Sequence, residues 1–433
     1  MEVVFARCCG LDVHKRTVVA CLLTPGPGGR PEKAVRTFST MTDDLLRLAD
    51  WLAAAGCTHV AMESTGVFWQ PIWYLLEDRF SLLLVNAAHI KAVPGRKTDV
   101  RDAEWIADLL RHGLLRGSVV PDQPQRELRD LTRYRSALVA ERSAAASRLQ
   151  KGLEGANIKL ASVATDILGR SGRAMLEALV AGATDPAALA QLAKGRLRTK
   201  IAELERALTG RFGAHQRFLV ARQLAHIDAL DALIAEVSDE IIRRLQDLVP
   251  RPSSPPDASD GVRDAAPRPP AEEAIARLET IPGVGRRTAE ALVAELGLDL
   301  RRFPTSGHLA SWAGMCPGNH ESAGKRQSGK TRKGNRALRA VLVEAAHAAG
   351  HTKHTYLGAQ FRRVAARRGK KRAAVAVGHS ILVIAYHLLT EGTVYQDLGP
   401  HYFDERARQA TERRLVHRLE ALGYKVALEP VAA

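Results

Sequence analysis

The sequence has little of what builds a secreted, zinc-binding or membrane-spanning protein. Its five cysteines include no C-x-x-C pair and their number is odd, which argues against a disulfide framework and a structural zinc site. The longest apolar stretch, residues 374–389, is interrupted by a Gly-His-Ser triplet and a second histidine, so we expect a buried helix and no membrane partner. Because the N-terminal residues form no charged-then-apolar leader, we expect a cytoplasmic protein with reduced thiols.

The charge balance, in contrast, is strongly basic. Lys and Arg number 63 against 47 Asp and Glu, which gives a formal net charge of +16 and a pI near 9.9. A chain with this balance suggests a polyanionic partner, and nucleic acid comes before an anionic membrane surface. A basic surface without a partner is the alternative.

Hydrophobic periodicity predicts several regions along the 433 residues. Residues 1–121 have the pattern β-β-β-α-β-α-β-α, which predicts a mixed sheet flanked by helices. Residues 122–248 are rich in Ala, Leu, Glu and Arg at a spacing of about 3.5, which predicts long paired helices or a coiled coil. A flexible Pro/Ser/Asp linker is expected at 249–273, followed by a mainly helical domain at 274–395 and a tail at 396–433.

Four carboxylates occupy informative positions in the first domain. Asp12 closes the first apolar strand, and Glu63 stands at the end of another. Asp99 and Asp102 begin a helix whose periodicity puts both on its apolar side, towards the sheet. Thr98 or Asp99 could instead cap that helix, with Asp102 favouring its positive end, and a single strand-end acid often begins a turn. Together, the four could bind two divalent ions through oxygen ligands and support phosphodiester chemistry.

Residues 278–297 carry a Pro-Gly-Val-Gly turn between two helical patterns. The arrangement predicts a helix-hairpin-helix, in which Gly283 and Gly285 let backbone N–H groups approach a nucleic-acid phosphate. Arg286 and Arg287 would add positive charge beside that phosphate. An ordinary turn between two helices is the alternative.

Residues 324–331 match G-x-x-x-x-G-K-[ST], the letter pattern of a nucleotide-binding loop. The residues before it contain Pro, Gly and Asn, which make a poor central strand, and the next helix is delayed to about Arg336. We therefore reject a nucleotide site. The cations of the segment could instead surround a nucleic-acid phosphate; they are Lys325, Arg326, Lys330, Arg332 and Lys333.

Several segments resemble the DEDD-type insertion-sequence transposases of the IS110 family. They are GLDVHKRTVVA, AMESTGVFW, KTDVRDAEWIADLLRHGLL and the pattern from LASWAGMCP to KGNRALR, and the resemblance spans most of 5–120 and 275–390. It implies an N-terminal domain with an RNase H/RuvC-like fold, whose metal-binding carboxylates are Asp12, Glu63, Asp99 and Asp102. It also implies that a serine in the Gly-rich loop attacks a DNA phosphorus. Ser322 is our match to that nucleophile, and Ser328 stays open as an alternative.

The same resemblance implies a transposase/recombinase that cleaves and rejoins DNA with Mg2+, with two ions per site, at the bacterial nucleoid. It implies a site shared between the RuvC-like domain and the serine loop, in a homodimer or homotetramer assembled through the helical middle. A noncoding guide RNA would be a partner beside the DNA. The residues themselves leave two rivals: a junction-resolving endonuclease that uses only the carboxylates, and a non-catalytic DNA-binding protein.

Overall fold

A computed structural model describes residues 2–64, 66–86, 102–246, 248, 270–318, 320–322, 325–331, 333–406 and 408–428. The chain divides into two compact units, Met1–Pro121 and Asp122–Ala433. The linker predicted at 249–273 falls mostly outside the described residues.

A mixed sheet lies at the centre of the first unit. Its described strands are β1 (Cys8–Val13), β2 (Thr17–Pro25), β3 (Pro31–Ser39), β4 (His59–Glu63), β5 (Ser81–Val85) and β6 (Gly117–Ser118). Their order across the sheet is β3-β2-β1-β4-β5-β6. Strands β1, β4 and β5 run parallel to one another. Strand β2 is antiparallel to both β1 and β3, and β6 is antiparallel to β5. The mixed sheet predicted from the sequence is confirmed.

Helices pack against the two faces of this sheet. The apolar sides of α1 (Thr42–Ala54) and α2 (Trp69–Leu76) bury one face, which includes Leu11 and Met62. Helix α3 (Asp102–Arg111) covers the other face, where Ala61 and Val85 are buried. Because successive side chains of a strand point to opposite faces, alternate residues of β1 and β4 belong to two different cores.

Two long helices begin the second unit. Helices α4 (Gln123–Gly155) and α9 (Ala214–Gln246) have 33 residues each, so each is about 50 Å long. Between them in sequence lie α5 (Leu160–Val163), α6 (Arg170–Ala181), α7 (Pro186–Ala190) and α8 (Ile201–Leu208). The long helices pack together through residues such as Leu149 and Ile227, which share a core with the short helices.

The rest of the second unit is helical with one small hairpin. Its helices are α10 (Ala271–Glu279), α11 (Arg286–Leu296), α12 (Ser306–Trp312), α13 (Arg336–His351), α14 (Tyr356–Arg368), α15 (Lys370–Glu391), α16 (Tyr402–Arg406) and α17 (Arg408–Glu420). Strands β7 (His320–Ser322) and β8 (Lys325–Ser328) form the hairpin. A loop was expected here, since the polar residues of these strands have no apolar alternation that would reveal them.

Helix α15 contains the long apolar stretch noted in the sequence. Among the described residues it is the one helix with the length and composition to cross a bilayer, and half of that window is buried inside the protein. Val377, Ile381 and Leu382 lie in the core of the second unit. The prediction that this stretch is a buried helix is confirmed.

Candidate active site

Asp12 and Glu63 stand at equivalent positions on neighbouring parallel strands. Strands β1 and β4 pair with Leu11 beside Met62, so the acid that follows each of these residues points to the opposite face. On that face, Val19 is the partner of Asp12 and Val85 is the partner of Glu63, and both valines pack in the core beneath α3. The two carboxylates therefore share one edge and one face of the sheet.

Gly10 determines how closely α3 approaches this edge. A Cβ atom at Gly10 would lie less than 3.0 Å from backbone atoms of Ala103 and Ala107. The helix backbone thus rests directly on β1, two residues before Asp12 and on the same face. Asp102 is the first residue of α3 and immediately precedes Ala103. The sheet–helix contact therefore brings the start of α3 to the strand ends that carry Asp12 and Glu63.

The environment of these acids is partly open to solvent. The Asp12 side chain is 21% exposed, and its Oδ2 lies 3.1 Å from Nε2 of His14. Glu63 and Asp102 are both half-buried. Asp99, the fourth acid of the predicted cluster, lies outside the described residues.

The donor set fits Mg2+ in its chemistry. Carboxylate oxygens are the ligands that hard divalent ions prefer. Thiolate ligands are disfavoured here, because burial raises the pKa of both Cys8 and Cys21 to about 12. Within the described residues, no three His, Cys, Asp or Glu side chains converge as a preformed metal cage.

The candidate serine lies at the end of a β-hairpin, which we call the serine hairpin (His320–Ser328). Ser322 ends β7 and pairs with Lys325, the first residue of β8. Farther along, Pro317 bridges to Thr331, and Gly318 donates its N–H to the Lys330 carbonyl over 2.9 Å. These contacts close the base of the hairpin, so Ser322 and Lys325 lie at its far end.

Ser328 has a local structural role. Its Oγ accepts a hydrogen bond from the backbone N–H of Lys330 at 3.2 Å. This contact is typical of a serine that stabilises a turn. It favours the turn-forming interpretation for Ser328.

The cations of the segment are presented to solvent rather than to a nucleotide. Lys325, Lys330 and Lys333 are exposed. The side chain of Arg326 and the whole of Arg332 lie outside the described residues. Since β8 occupies the place of a phosphate loop and α13 begins only at Arg336, the arrangement differs from the strand–loop–helix of a nucleotide site.

The Pro-Gly-Val-Gly turn connects α10 to α11, and its two glycines have different surroundings. Gly283 has φ of 88°, and a Cβ there would lie 2.5 Å from backbone atoms of Ala345 and Ala349 in α13. A glycine is therefore needed at position 283 so that the turn can pack closely against the backbone of α13. Gly285 is exposed with open space around it, and it precedes the first turn of α11. Of the two, Gly285 has room for a phosphate.

Arg286 and Arg287 also differ. Arg286 donates to Glu272 at 2.6 Å and to Glu290 at 3.0 Å, and these hydrogen bonds raise its pKa. Much of its charge is thus already compensated by acids. Arg287 is exposed, and its backbone carbonyl accepts a bond from Arg135 at 3.4 Å. Arg287 is consequently the freer cation for an external anion.

Two buried glutamates on α11 were missed in the sequence. Glu290 and Glu295 are 2% and 1% exposed. Glu290 accepts from Nη1 of Arg135 at 2.7 Å, and Glu295 accepts from Nε and Nη2 of Arg133 at 2.7 and 2.9 Å. The sequence signal for them was the presence of two acids among the apolar residues of TAEALVAELG. Acids at such positions indicate buried carboxylates, which require a partner.

Glu295 also joins the segment that leaves the serine hairpin. Its Oε2 accepts from Nδ2 of Asn335 at 2.6 Å, and Oδ1 of the same asparagine accepts from the Leu338 N–H at the start of α13. Arg129 lies beside it, with Nε 3.5 Å from Oε2, and burial lowers the pKa of this arginine to about 10. A single buried carboxylate therefore connects α4, α11 and α13.

Two family models match the chain. A transposase model of the DEDD type covers residues 9–158, and the model described as transposase IS116/IS110/IS902 family covers residues 275–361. The first contains all four predicted carboxylates, and the second contains the turn between α10 and α11 and the serine hairpin.

Curated relatives carry related descriptions. A family 20 transposase of Pseudomonas aeruginosa is 26% identical over 344 residues, which is 78% of this chain and 85% of that protein. The transposase for insertion sequence element IS1111A of Coxiella burnetii is 33% identical over 130 residues, 29% of this chain and 35% of that protein. The pilin gene-inverting protein of Moraxella bovis is 29% identical over 117 residues, 26% of this chain and 36% of that protein. The two shorter alignments thus span about a third of these relatives.

Proposed function

Because the chain belongs to the IS110 family of transposases, we propose that it is a DNA transposase/recombinase that cleaves and rejoins the strands of an insertion sequence. The observation that carries the proposal is the shared sheet edge of Asp12 and Glu63, to which α3 brings Asp102 through the contact at Gly10. The description of the Moraxella relative as a gene-inverting protein agrees with recombination as the broader activity.

The carboxylate edge belongs, in this proposal, to an RNase H/RuvC-like domain. The strand order β3-β2-β1-β4-β5, with a parallel centre and an antiparallel first hairpin, supports that assignment. Asp12, Glu63, Asp99 and Asp102 would hold two Mg2+ ions, which supply an activated nucleophile and stabilise the leaving oxygen when bound. The partial exposure of Asp12 leaves its carboxylate accessible to an ion and to a DNA phosphate.

Ser322 is the proposed nucleophile. Its oxygen would form a bond to a DNA phosphorus while the bond from phosphorus to the neighbouring nucleotide's oxygen breaks, and the serine proton would pass to that departing oxygen. Attack by a new strand end reverses the exchange and returns the serine. Lys325, its partner across the hairpin, is exposed where it can offset the charge that develops on the phosphate.

The serine assignment can be tested with a matched pair of variants. Ser322→Ala should abolish a covalent protein–DNA adduct, whereas Ser328→Ala should keep it, since the Ser328 hydroxyl serves a turn. Labelled DNA carrying the element ends would be incubated with protein and Mg2+, and adducts would be resolved on a denaturing gel. Full cleavage by Ser322→Ala without an adduct would identify a carboxylate-only endonuclease of the junction-resolving type. An adduct lost only in Ser328→Ala would move the nucleophile there.

The metal-binding proposal has its own test. Asp12→Asn should reduce cleavage by at least about 100-fold, because removing a single stabilising group from an active site commonly costs this much. DNA binding, measured by gel shift, should persist in the same variant. Normal recombination by Asp12→Asn would support the non-catalytic alternative instead.

Binding of a guide RNA is a further part of the proposal. It is supported by the net charge of +16 and by the junction of α14 and α15, where Arg367, Arg368, Lys370, Lys371 and Arg372 are all exposed. Expression with the native flanking DNA, followed by sequencing of copurified RNA, tests it. Recovery of no discrete RNA under mild salt would contradict it.

Assembly into a dimer or tetramer is proposed through the long helices. Phe218, Leu219 and Leu233 of α9 are exposed, and large apolar side chains on a helix surface favour association. Light scattering across a concentration range measures the state directly, and a monomer at all concentrations would contradict this part of the proposal.

A further inference from the structure

We propose that Glu295 is a positioning residue that fixes the exit of the serine hairpin and so determines where Ser322 lies. The inference deepens the proposed function and rests on it only in that the hairpin carries the nucleophile. It assigns to Glu295, a buried side chain, an effect on the reaction that acts through Asn335.

The first support is the completeness of the network around Glu295. The carboxylate is 1% exposed and accepts from two nitrogens of Arg133 at 2.7 and 2.9 Å. Arg129 donates to the carbonyl of Ala294 at 3.0 Å and also to the carbonyl of Glu295 itself. Both the side chain and the backbone of Glu295 are thus held by α4, so this carboxylate is a fixed point to which a loop can be attached.

The second support is the orientation of Asn335. Its Oδ1 accepts from the Leu338 N–H at 3.1 Å, which caps α13, and its Nδ2 donates to Glu295 at 2.6 Å. Since both ends of the amide are used, the side chain has one orientation that satisfies both partners. The residue before it, Gly334, packs so closely that a Cβ there would lie less than 3.0 Å from the backbone of Ala313 and Gly314. The chain is therefore clamped where it leaves the hairpin.

The third support is the length of the hairpin beyond the clamp. Five positions separate Pro317, at the bridge to Thr331, from Ser322, and five residues span at most about 17 Å. A tilt of about 5° at the base would move the far end by about 1.5 Å, given that length. Misplacement by about 1 Å can lower a rate by about 100-fold. A small loss of order at Asn335 is thus sufficient to affect chemistry at Ser322.

The test is a reciprocal exchange of the two groups. In Glu295→Gln an NH2 group replaces either Oε1, which accepts from Arg133, or Oε2, which accepts from both Arg133 and Asn335. At one of these two positions a donor therefore faces a donor. In Asn335→Asp two carboxylates meet across a distance of 2.6 Å. The double variant Glu295→Gln/Asn335→Asp restores one donor and one acceptor, and aspartate still caps α13.

Each single variant should form the Ser322–DNA adduct about 10- to 100-fold more slowly, in line with a displacement of about 1 Å. The double variant should recover to within about 3-fold of wild type, and the Kd for DNA should change by less than about 2-fold in all three, because no DNA-contacting group is altered. The rate of amide hydrogen exchange in the serine hairpin should increase in the single variants and return to the wild-type rate in the double variant.

Glu290→Gln is the matched control. Glu290 is an equally buried acid of the same helix, and it bonds to Arg135 and Arg286 rather than to the loop. This variant should lose stability but, at temperatures where it is folded, should keep both the adduct rate and the hairpin exchange.

Two results would overturn the proposal: unchanged adduct rates in both singles, or an equal loss of adduct, DNA binding and melting temperature that Glu290→Gln reproduces. Absence of an adduct in wild type would refute the serine mechanism instead. In that case, hairpin exchange in the singles and the double still decides whether Glu295 holds the hairpin.

Discussion

The contact between Gly10 and α3 gives the sharpest test of how the carboxylates are assembled. In Gly10→Ala the added Cβ would lie less than 3.0 Å from backbone atoms of Ala103 and Ala107, whereas ordinary contacts begin at 3.4 Å. Neither neighbour is a flexible side chain that could turn away. To restore ordinary contacts the helix must move from the sheet by about 1 Å, and Asp102 at its first position must move with it.

The magnitude follows from this forced movement. Overpacking of a well-packed core costs about 1–3 kcal/mol, and the upper half of that range is expected because both obstructing groups are backbone. Since a displacement of about 1 Å can cost about 100-fold in rate, this shift should lower metal-dependent DNA cleavage by up to about 100-fold. The activity loss should appear in protein that is still folded.

Urea unfolding and a cleavage assay with labelled DNA measure the two effects. Gly155→Ala is the control, because a Cβ at that helical glycine meets nothing within 4 Å and the change should be neutral or slightly stabilising. Wild-type stability together with wild-type cleavage in Gly10→Ala would refute the packing of α3 on β1 and, with it, the proposed route by which Asp102 reaches the site.

Three further predictions concern other parts of the chain. Gly334→Ala should destabilise the protein by about 1–3 kcal/mol in urea unfolding, since its Cβ would overlap a neighbouring backbone segment; an unchanged midpoint would contradict that packing. Arg135→Met should cost about 3 kcal/mol, the low end for a broken buried pair, because a second arginine stays 3.0 Å from Glu290; replacing both partners with apolar residues should recover much of that loss. Burial raises the pKa of Cys8 and Cys21 from 9.0 to about 12, so as the pH rises these thiols lose their protons in the unfolded chain before they do in the folded protein. The free energy of unfolding should therefore fall by up to about 1.4 kcal/mol per thiol for each pH unit above pH 9. A flat stability profile from pH 8 to 10 would contradict the burial of these thiols.

The parts of the fold that could be predicted are those with a local pattern. Short apolar runs separated by polar residues predicted the strands, and helical periodicity predicted the helices, including the apolar side of α3 with Ile106 and Leu110 facing the sheet. Glu63 and Asp12 stood out because acids at the ends of buried strands are visible in the sequence alone. The proximity of the two strands follows from their parallel pairing.

The parts that could not be predicted depend on contacts between distant residues. Arg133 and Glu295 are 162 positions apart, and neither local sequence indicates that the two residues form a pair. The serine hairpin was not anticipated because its strands carry polar residues on both sides, so alternation is absent. Gly283 was assigned to phosphate contact from its motif, but its Cβ position is taken by the backbone of α13, which only the tertiary structure reveals.

Helix α4 has a consequence for how this protein can be divided. Three arginines that pair with Glu290 and Glu295 lie between residues 129 and 135, within the part of the chain matched by the first family model. Both glutamates lie in the part matched by the second. A fragment cut at the linker would keep both glutamates and lose the arginines of α4 that pair with them. Exchange of C-terminal halves between relatives must therefore carry the start of α4 along with residues 275–361. The boundary between the two family matches separates the glutamates from arginines that pair with them.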